Sequence, residues 1–346
     1  GGNVSLTAKN ATVTGDFVPS EPMMFRNKII NGSMQISQRG DATGVTTTTY
    51  GGPDRFQSIL GSAGTWNLTK SGDAPSGSGF SNSFRIACTT ANSSLSSSSA
   101  YLFGQKIEGQ NVQDFAYGTS SAKNITLSFW VKSNLTGTFI IEFSKETGIR
   151  QISRSYTINA ADTWEHKSVT IPGDTSSALA NDNTSELAVY WWLVAGTGYS
   201  SGTLNTSGWA TEINANRAVG QVNLASSTSN EIYITGAQLE VGSSATPFEH
   251  RPIGMELSLC QRYYYKHLSP EWGYSTSYLG TSYSRTRVDF KVQMRASPTI
   301  GGIVYNSSSG SVSSQFIGPT SVTLAANPNL SGGMEFQSGW YAVSEL

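Results

Sequence analysis

The sequence predicts an all-β protein, a jelly-roll β-sandwich followed by a small C-terminal β-rich tip domain. Three observations carry that expectation. Apolar and polar residues alternate over short segments, the two-residue period of a strand with one buried face. Clusters of Gly, Asn, Asp and Ser separate those segments at fairly regular intervals, as they do in two-sheet sandwiches. Charged residues make up only 13% of the chain against 37% hydrophobic, with 36 glycines. The many β-branched and aromatic side chains fit a pleated surface and lose less freedom there than in a helix. The low hydrophobicity and high net charge that mark disorder are both missing.

Residues 1–24 alternate at Val4, Leu6 and Ala8 and again at Ala11 and Val13, ahead of Pro19 and Pro22. One strand pair of that size buries no core alone, so the segment reads as the end of a stalk and a linker. Residues 25–252 make the expected sandwich, with strands at 84–88, 101–107, 125–132, 139–143, 151–158, 166–171, 187–194 and 231–241. Over 125–131, Ile125, Leu127, Phe129 and Val131 share one face, and Thr126, Ser128 and Trp130 share the outward one. Segment 187–194 is apolar on both faces, Leu187, Val189, Trp191 and Leu193 against Ala188, Tyr190, Trp192 and Val194. Such a strand is either covered on both sides or presents an aromatic contact surface. Residues 253–346 form the tip. A short helix is predicted over 252–260, because Pro is preorganised for a first turn and Met255 with Leu259, and Leu257 with Cys260, can line one side. Strands follow at 261–267, 283–294, 299–305, 312–317, 322–325 and 340–343. No period of twenty to fifty residues repeats, so the stacked coils of a long β-helix are not expected.

Charge and cysteine usage narrow the class of partner. Lys plus Arg is 22 and Asp plus Glu is 23, a net charge of -1 that offers no general attraction to nucleic acid or anionic lipid. No apolar run reaches membrane-spanning length, and residues 1–7 lack the basic-then-apolar layout of a secretory signal. The opening Gly-Gly suggests that a longer chain precedes it. Cys88 and Cys260 stand too far apart, in contexts too unlike, for a disulfide framework. Stability must then come from burial, often reinforced by oligomerisation.

Eight stretches, in order, resemble a group of bacteriophage tail-fibre and host-specificity proteins common among viruses of aquatic bacteria. They are NKIINGSM (27–34), QKIEG (105–109), ITLSFWVK (125–132), WEHKSVTI (164–171), IYITGAQLEVG (232–242), ATPFE (245–249), LCQRYY (259–264) and MRASPT (294–299). The resemblance covers nearly everything from residue 27 onward and is weakest over 172–222. It implies a sandwich like those of carbohydrate-binding modules, a β-rich tip, and a homotrimeric fibre of the virion. The fibre would assemble in the host cytoplasm, join other tail proteins through its amino end, and bind host-surface polysaccharide or lipopolysaccharide without catalysis. Two rival readings stay open: a polysaccharide depolymerase or deacetylase of a tailspike, and a structural fibre or baseplate segment without receptor contact.

The resemblance carries no binding residues, so candidates come from chemistry. His166, His250 and His267 stand far apart without Cys or carboxylate at ligand spacing, which argues against zinc. No cofactor is expected, although structural calcium, held by scattered loop oxygens, has conceivable ligands in Asp73 and Asp182. A glycosidase needs two flanking carboxylates. Glu108 with Asp114, and Glu142 with Glu146, are the pairs the sequence offers. Sugars show flat C–H patches that stack on exposed aromatic rings. Tyr199 and Trp209, after the run Tyr190-Trp191-Trp192, and Trp272, Tyr274 and Tyr278, in a Gly/Ser-rich stretch with Tyr283, are therefore the candidate carbohydrate-binding residues. The triple tyrosine Tyr263-Tyr264-Tyr265 is expected to pack at the domain junction or between subunits.

Overall fold

The computed structural model describes residues 25–146, 148–268, 271–275, 284–303, 312–326, 334–336 and 339–346. The expected stalk segment 1–24, and Tyr278 and Tyr283, lie outside the described residues. The chain is all-β. Among the described residues the first thirteen strands are β1 (Ala42–Val45), β2 (Thr49–Tyr50), β3 (Gln57–Gly61), β4 (Thr65–Ser71), β5 (Ser83–Thr90), β6 (Ala100–Glu108) and β7 (Ile125–Ser133), then β8 (Gly137–Lys145), β9 (Arg150–Ile158), β10 (Glu165–Ile171), β11 (Ser185–Ala195), β12 (Ala210–Thr211) and β13 (Glu231–Val241). They form two antiparallel sheets, one of order β1-β4-β5-β13-β7-β10 and one of order β12-β9-β8-β11-β6-β3-β2. The chain crosses repeatedly between the sheets, as a jelly-roll sandwich requires.

The inner faces meet around Trp191. Its ring stacks on Phe103 at 5.3 Å and takes the edge of Phe129 at 5.6 Å, and Phe129 arrives with Ile125, Leu127 and Val131 on the inner face of β7. Burying an indole removes roughly 200 Å² from water. At about 25 cal/mol per Å² that is worth ~5 kcal/mol before entropy is counted. The outer face of β11 is covered as well. Tyr199, on the single-turn helix α1 (Thr197–Ser200), lies 5.3 Å from Trp192, and the buried Ala218 completes the cover with Leu204. Beneath them Glu142 accepts the Trp192 indole N–H at 2.8 Å and pairs with Arg217 at 2.9 Å. The two-faced apolar pattern of β11 thus belongs to a strand buried on both sides.

Helix α2 (Ile253–Gln261) begins after Pro252, within a residue of expectation. It buries Glu256 and Cys260 and leaves Met255 exposed, so the anticipated Met255–Leu259 stripe is not its inner face. The reason is polar: Glu256 accepts from the Asn31 amide and from Arg251. Among the described residues eight further strands follow: β14 (Tyr264–Lys266), β15 (Glu271–Ser275), β16 (Ser284–Asp289), β17 (Thr299–Gly301), β18 (Val312–Gln315), β19 (Ser321–Ala326), β20 (Met334–Phe336) and β21 (Tyr341–Val343). They build a sheet of order β14-β21-β17 and one of order β18-β19-β16-β15-β20 around Tyr265, Val288, Met294 and Trp340. The strand expected over 283–294 stops at Asp289 and gives way to bends, because Phe290 and Met294 turn back to bond Thr320 and Pro319. Gln261 belongs to the helix, and β14 starts at Tyr264.

Several of the stretches that carried the family resemblance meet at the junction between these parts. Glu108 of QKIEG accepts two bonds from Arg262 at 2.7 Å each and one from the Tyr263 hydroxyl at 2.5 Å. Ile30 of NKIINGSM exchanges both backbone bonds with the Gln105 side chain at 2.8 Å. Arg55, buried, stacks 3.4 Å from the Tyr263 ring and pairs with Glu345. Tyr263 and Tyr264 are buried there, whereas Tyr265 is buried in the core of the C-terminal sheets, against Phe290 and Trp340. The two cysteines are free thiols, in β5 and α2.

Candidate functional site

The outward face of β7 sets the site. Phe129 and Val131 point into the core, so the alternation turns Trp130 and Lys132 outward. Strand β10 pairs with β7 so that His166 lies opposite Trp130 and Ser168 opposite Ser128. The two rings are 5.2 Å apart. Burial against the indole pushes the His166 imidazole below its ordinary value, favouring the neutral ring.

On the other side of β7, strand β13 pairs Thr235 with Trp130 and then slips register before Gln238 meets Ser128. The bulge places Gly236 at φ +62°, and a side chain there would meet the Phe80 ring at 2.7 Å and Trp130 at 3.2 Å. Only glycine accepts that backbone with that approach. Phe80 comes from the loop between β4 and β5 and lies edge to face with Phe248, 4.9 Å away, while His250 closes the cluster at 4.9 Å from Phe248. The loop bearing Phe248 is pinned from beneath. Buried Glu240 accepts the Thr246 amide at 2.8 Å and its hydroxyl at 2.6 Å, and Gln238 accepts the Glu249 amide at 2.7 Å.

Between these walls lies an open groove of about 490 Å³, lined by Phe80, Trp130, His166 and Phe248 with Ser78, Ser128, Gly236 and residues 245–247. The size falls in the range of small-ligand sites. Along the same face the aromatic surface continues. Lys132 sits over the Tyr233 ring at 4.4 Å and pairs with Asp73, which also accepts the Trp164 indole N–H at 3.1 Å. Burial alone would raise the Asp73 carboxyl, but the Lys132 and Trp164 bonds outweigh it and hold the group below its usual range. Tyr233 bonds Glu231 at 2.9 Å, and Glu231 pairs with Arg85 at 2.6 Å. The face is thus a row of ring surfaces edged by fixed ion pairs, able to stack on the C–H faces of a sugar while amide and charged groups meet its hydroxyls.

Of the residues singled out from sequence, Tyr199 and Trp209 lie elsewhere. Trp209 is only 9% exposed, donates its indole N–H to the Pro172 carbonyl at 2.9 Å and takes Tyr117 edge-on, so it offers no ring face to solvent. Tyr199 is half-buried on Trp192 and lines, with Arg217 and Leu102, a separate cavity of about 250 Å³ on the opposite sheet. Its neighbour Arg217 is already taken by Glu142 and Glu212. Trp272 and Tyr274 belong to β15, and their side chains lie outside the described residues. Neither Tyr199 nor Trp209 is brought together with Trp130. The signal that finds the groove was present in the alternation of 125–131, which turned Trp130 outward; the partner rings could not be read, because cross-strand register and two loops assemble them.

Other candidates resolve into structural roles. Glu108 is buried on Arg262, Asp114 pairs with Lys28, Glu142 with Arg217 and Glu146 with Lys106, so neither carboxylate pair forms a shared cleft. Asp182 accepts the amide and hydroxyl of Thr184, at 2.9 and 2.6 Å. Among the described residues no cluster of three His, Cys, Asp or Glu is placed to hold a metal ion. A cavity of about 420 Å³ at the junction sets the apolar Ile30, Met255 and Leu259 beside the charged Lys28, Lys106 and Arg251 in its lining.

No family model and no curated protein matches the sequence. Solved structures similar to this chain include the enzymatically active domain of tailspike protein 4 from bacteriophage CBA120, at 15% identity and TM-score 0.32 over 63% of this chain. This chain spans 22% of that domain's length. The module TmCBM61, solved with beta-1,4-galactotriose, is 10% identical over 63% of this chain and 99% of its own, with TM-score 0.31. The xylan-binding domain CBM22-2 from Paenibacillus barcinonensis is 14% identical over 54% of this chain and 92% of its own, with TM-score 0.30. At these TM-scores none of the likenesses bears on what the groove holds, and its own side chains are what speak to its chemistry.

Proposed function

We propose that the protein is a non-catalytic carbohydrate-binding adhesin of a phage tail fibre, and that the Trp130 groove holds glycan of the host surface. The observation that carries the reading is an accessible ring face, Trp130, set between His166 and the Phe80–Phe248 pair on a rigid sheet. The ordered stretches that resemble tail-fibre proteins support the setting, with a homotrimer and attachment through the amino end. A single saccharide site is weak, in the millimolar to micromolar range, because hydroxyls trade water bonds for protein bonds at small net gain. Three copies on one fibre would raise that to firm attachment through effective concentration.

The test is binding of the purified chain to polysaccharide from susceptible cells, alongside Trp130→Ala. Loss of the ring should weaken binding by about tenfold, ~1–2 kcal/mol, with the melting temperature unchanged. Equal binding by the variant would move the site elsewhere, and shortened chains or released acetate would replace the adhesin with an enzyme.

A further inference from the structure

We infer that the Trp130 groove selects an uncharged hexose carrying a methyl group, a 6-deoxy or N-acetyl sugar, over acidic sugars; this rests on the adhesin reading above. None of the ten residues lining the groove bears a formal charge once His166 is neutral. The nearest cation along the strand, Lys132, is already spent on Asp73 and on the Tyr233 ring. The nearest buried carboxylate, Glu240, holds Thr246 from beneath and is paired with Arg26 at 3.5 Å, whose guanidinium also donates to the Pro247 carbonyl, so this pair too is already matched and presents no net charge to a ligand. An acidic sugar would therefore leave water without meeting a counter-charge.

The hydrogen-bonding capacity of the walls is also low. The Thr246 hydroxyl donates to Glu240 at 2.6 Å and the Ser78 hydroxyl to the Pro75 carbonyl at 2.5 Å, while Ser128 is buried at the base. Beyond the His166 and Trp130 ring nitrogens, what remains on offer is mostly carbon: Phe80, Phe248, Ala245 and Pro247 line the same cavity as Trp130. Such a surface rewards a ligand whose ring face covers the indole and whose methyl reaches the phenylalanines. One methyl so buried is worth roughly four- to tenfold in Kd.

The experiment is a titration followed by the Trp130 indole N–H resonance, with methyl glycosides of glucose, fucose, N-acetylglucosamine and glucuronic acid as probes. Fucoside or N-acetylglucosaminide should shift the resonance at a Kd roughly four- to tenfold below that of glucoside, and whichever is tighter identifies the source of the methyl. Glucuronide should bind roughly tenfold or more weakly than glucoside. Phe248→Ala should erase the methyl preference, bringing the Kd values of the three neutral glycosides together at this resonance. Glucuronide binding at this resonance as tightly as the others, or equal Kd values for glucoside and both methyl-bearing probes, overturns the selectivity while leaving the adhesin reading intact. If no probe and no host polysaccharide moves the resonance, the adhesin reading falls and the selectivity with it.

Discussion

Trp209 donates its indole N–H to Pro172 and meets Tyr117 at 5.7 Å, edge to face, so its contribution is to the core of the sandwich. Truncating it to alanine removes a large apolar body and leaves a cavity that a stacked-sheet interior cannot fully close. Trp209→Ala should cost about 3–5 kcal/mol in denaturant unfolding while the folded fraction still binds glycan. Trp130→Ala should do the reverse. If Trp209→Ala melts like the native chain, the ring is not the packing element its bonds make it. From sequence Trp209 was singled out as a candidate surface ring and Trp130 was only placed on an outward face: alternation shows which way a strand residue points, whereas the depth of a loop ring depends on which distant strand covers it. Trp209 sits beside Tyr117 and Pro172, residues no local pattern connects to it.

At the scale of elements, alternation was the most legible signal. Strands β5 to β11 and β13 lie where the two-residue period put them, and the outward position of Trp130 followed from it. The short strands β1 to β4 went unread, because residues 42–71 are rich in Gly, Thr and Ser and carry few consecutive apolar alternations. The bulge in β13 was equally invisible, since a register slip is a relation between two strands. It is nonetheless what shapes the groove. Gly236→Ala would force a side chain into a left-handed backbone at φ +62° and to 2.7 Å from the Phe80 ring. The expected loss is about 1–3 kcal/mol, with weaker glycan binding as Phe80 is displaced. Gly208→Ala, where nothing lies within 4 Å of a new Cβ, is the control and should leave both unchanged. A Gly236→Ala protein with native binding would show that the bulge does not build the site.

Across the whole molecule, the sandwich and the C-terminal sheets are held together by charge buried at their junction, and that predicts how the protein responds to acid. Burial works to raise the Glu108 carboxyl, but Arg262, Tyr263 and Gln110 bond it strongly enough to hold it below its usual range. A carboxyl depressed on folding contributes stability that is present above its unfolded value, about 4.3, and is lost as pH falls through the lower folded value. Stability should therefore decline from about pH 5 downward, and Glu108→Gln should flatten that decline because the amide does not titrate. At neutral pH the variant leaves Arg262 facing an uncharged partner at a buried junction. The cost should be ~2–4 kcal/mol, below that of a fully buried pair because the Arg262 side chain keeps 26% of its surface in water. A double-mutant cycle with Arg262→Gln separates the pair from its surroundings: coupled residues make the double variant little worse than either single one. Additive losses, or an acid slope in Glu108→Gln as steep as in the native chain, would remove this carboxylate as the junction's clasp and shift the role to Arg55 and Glu345.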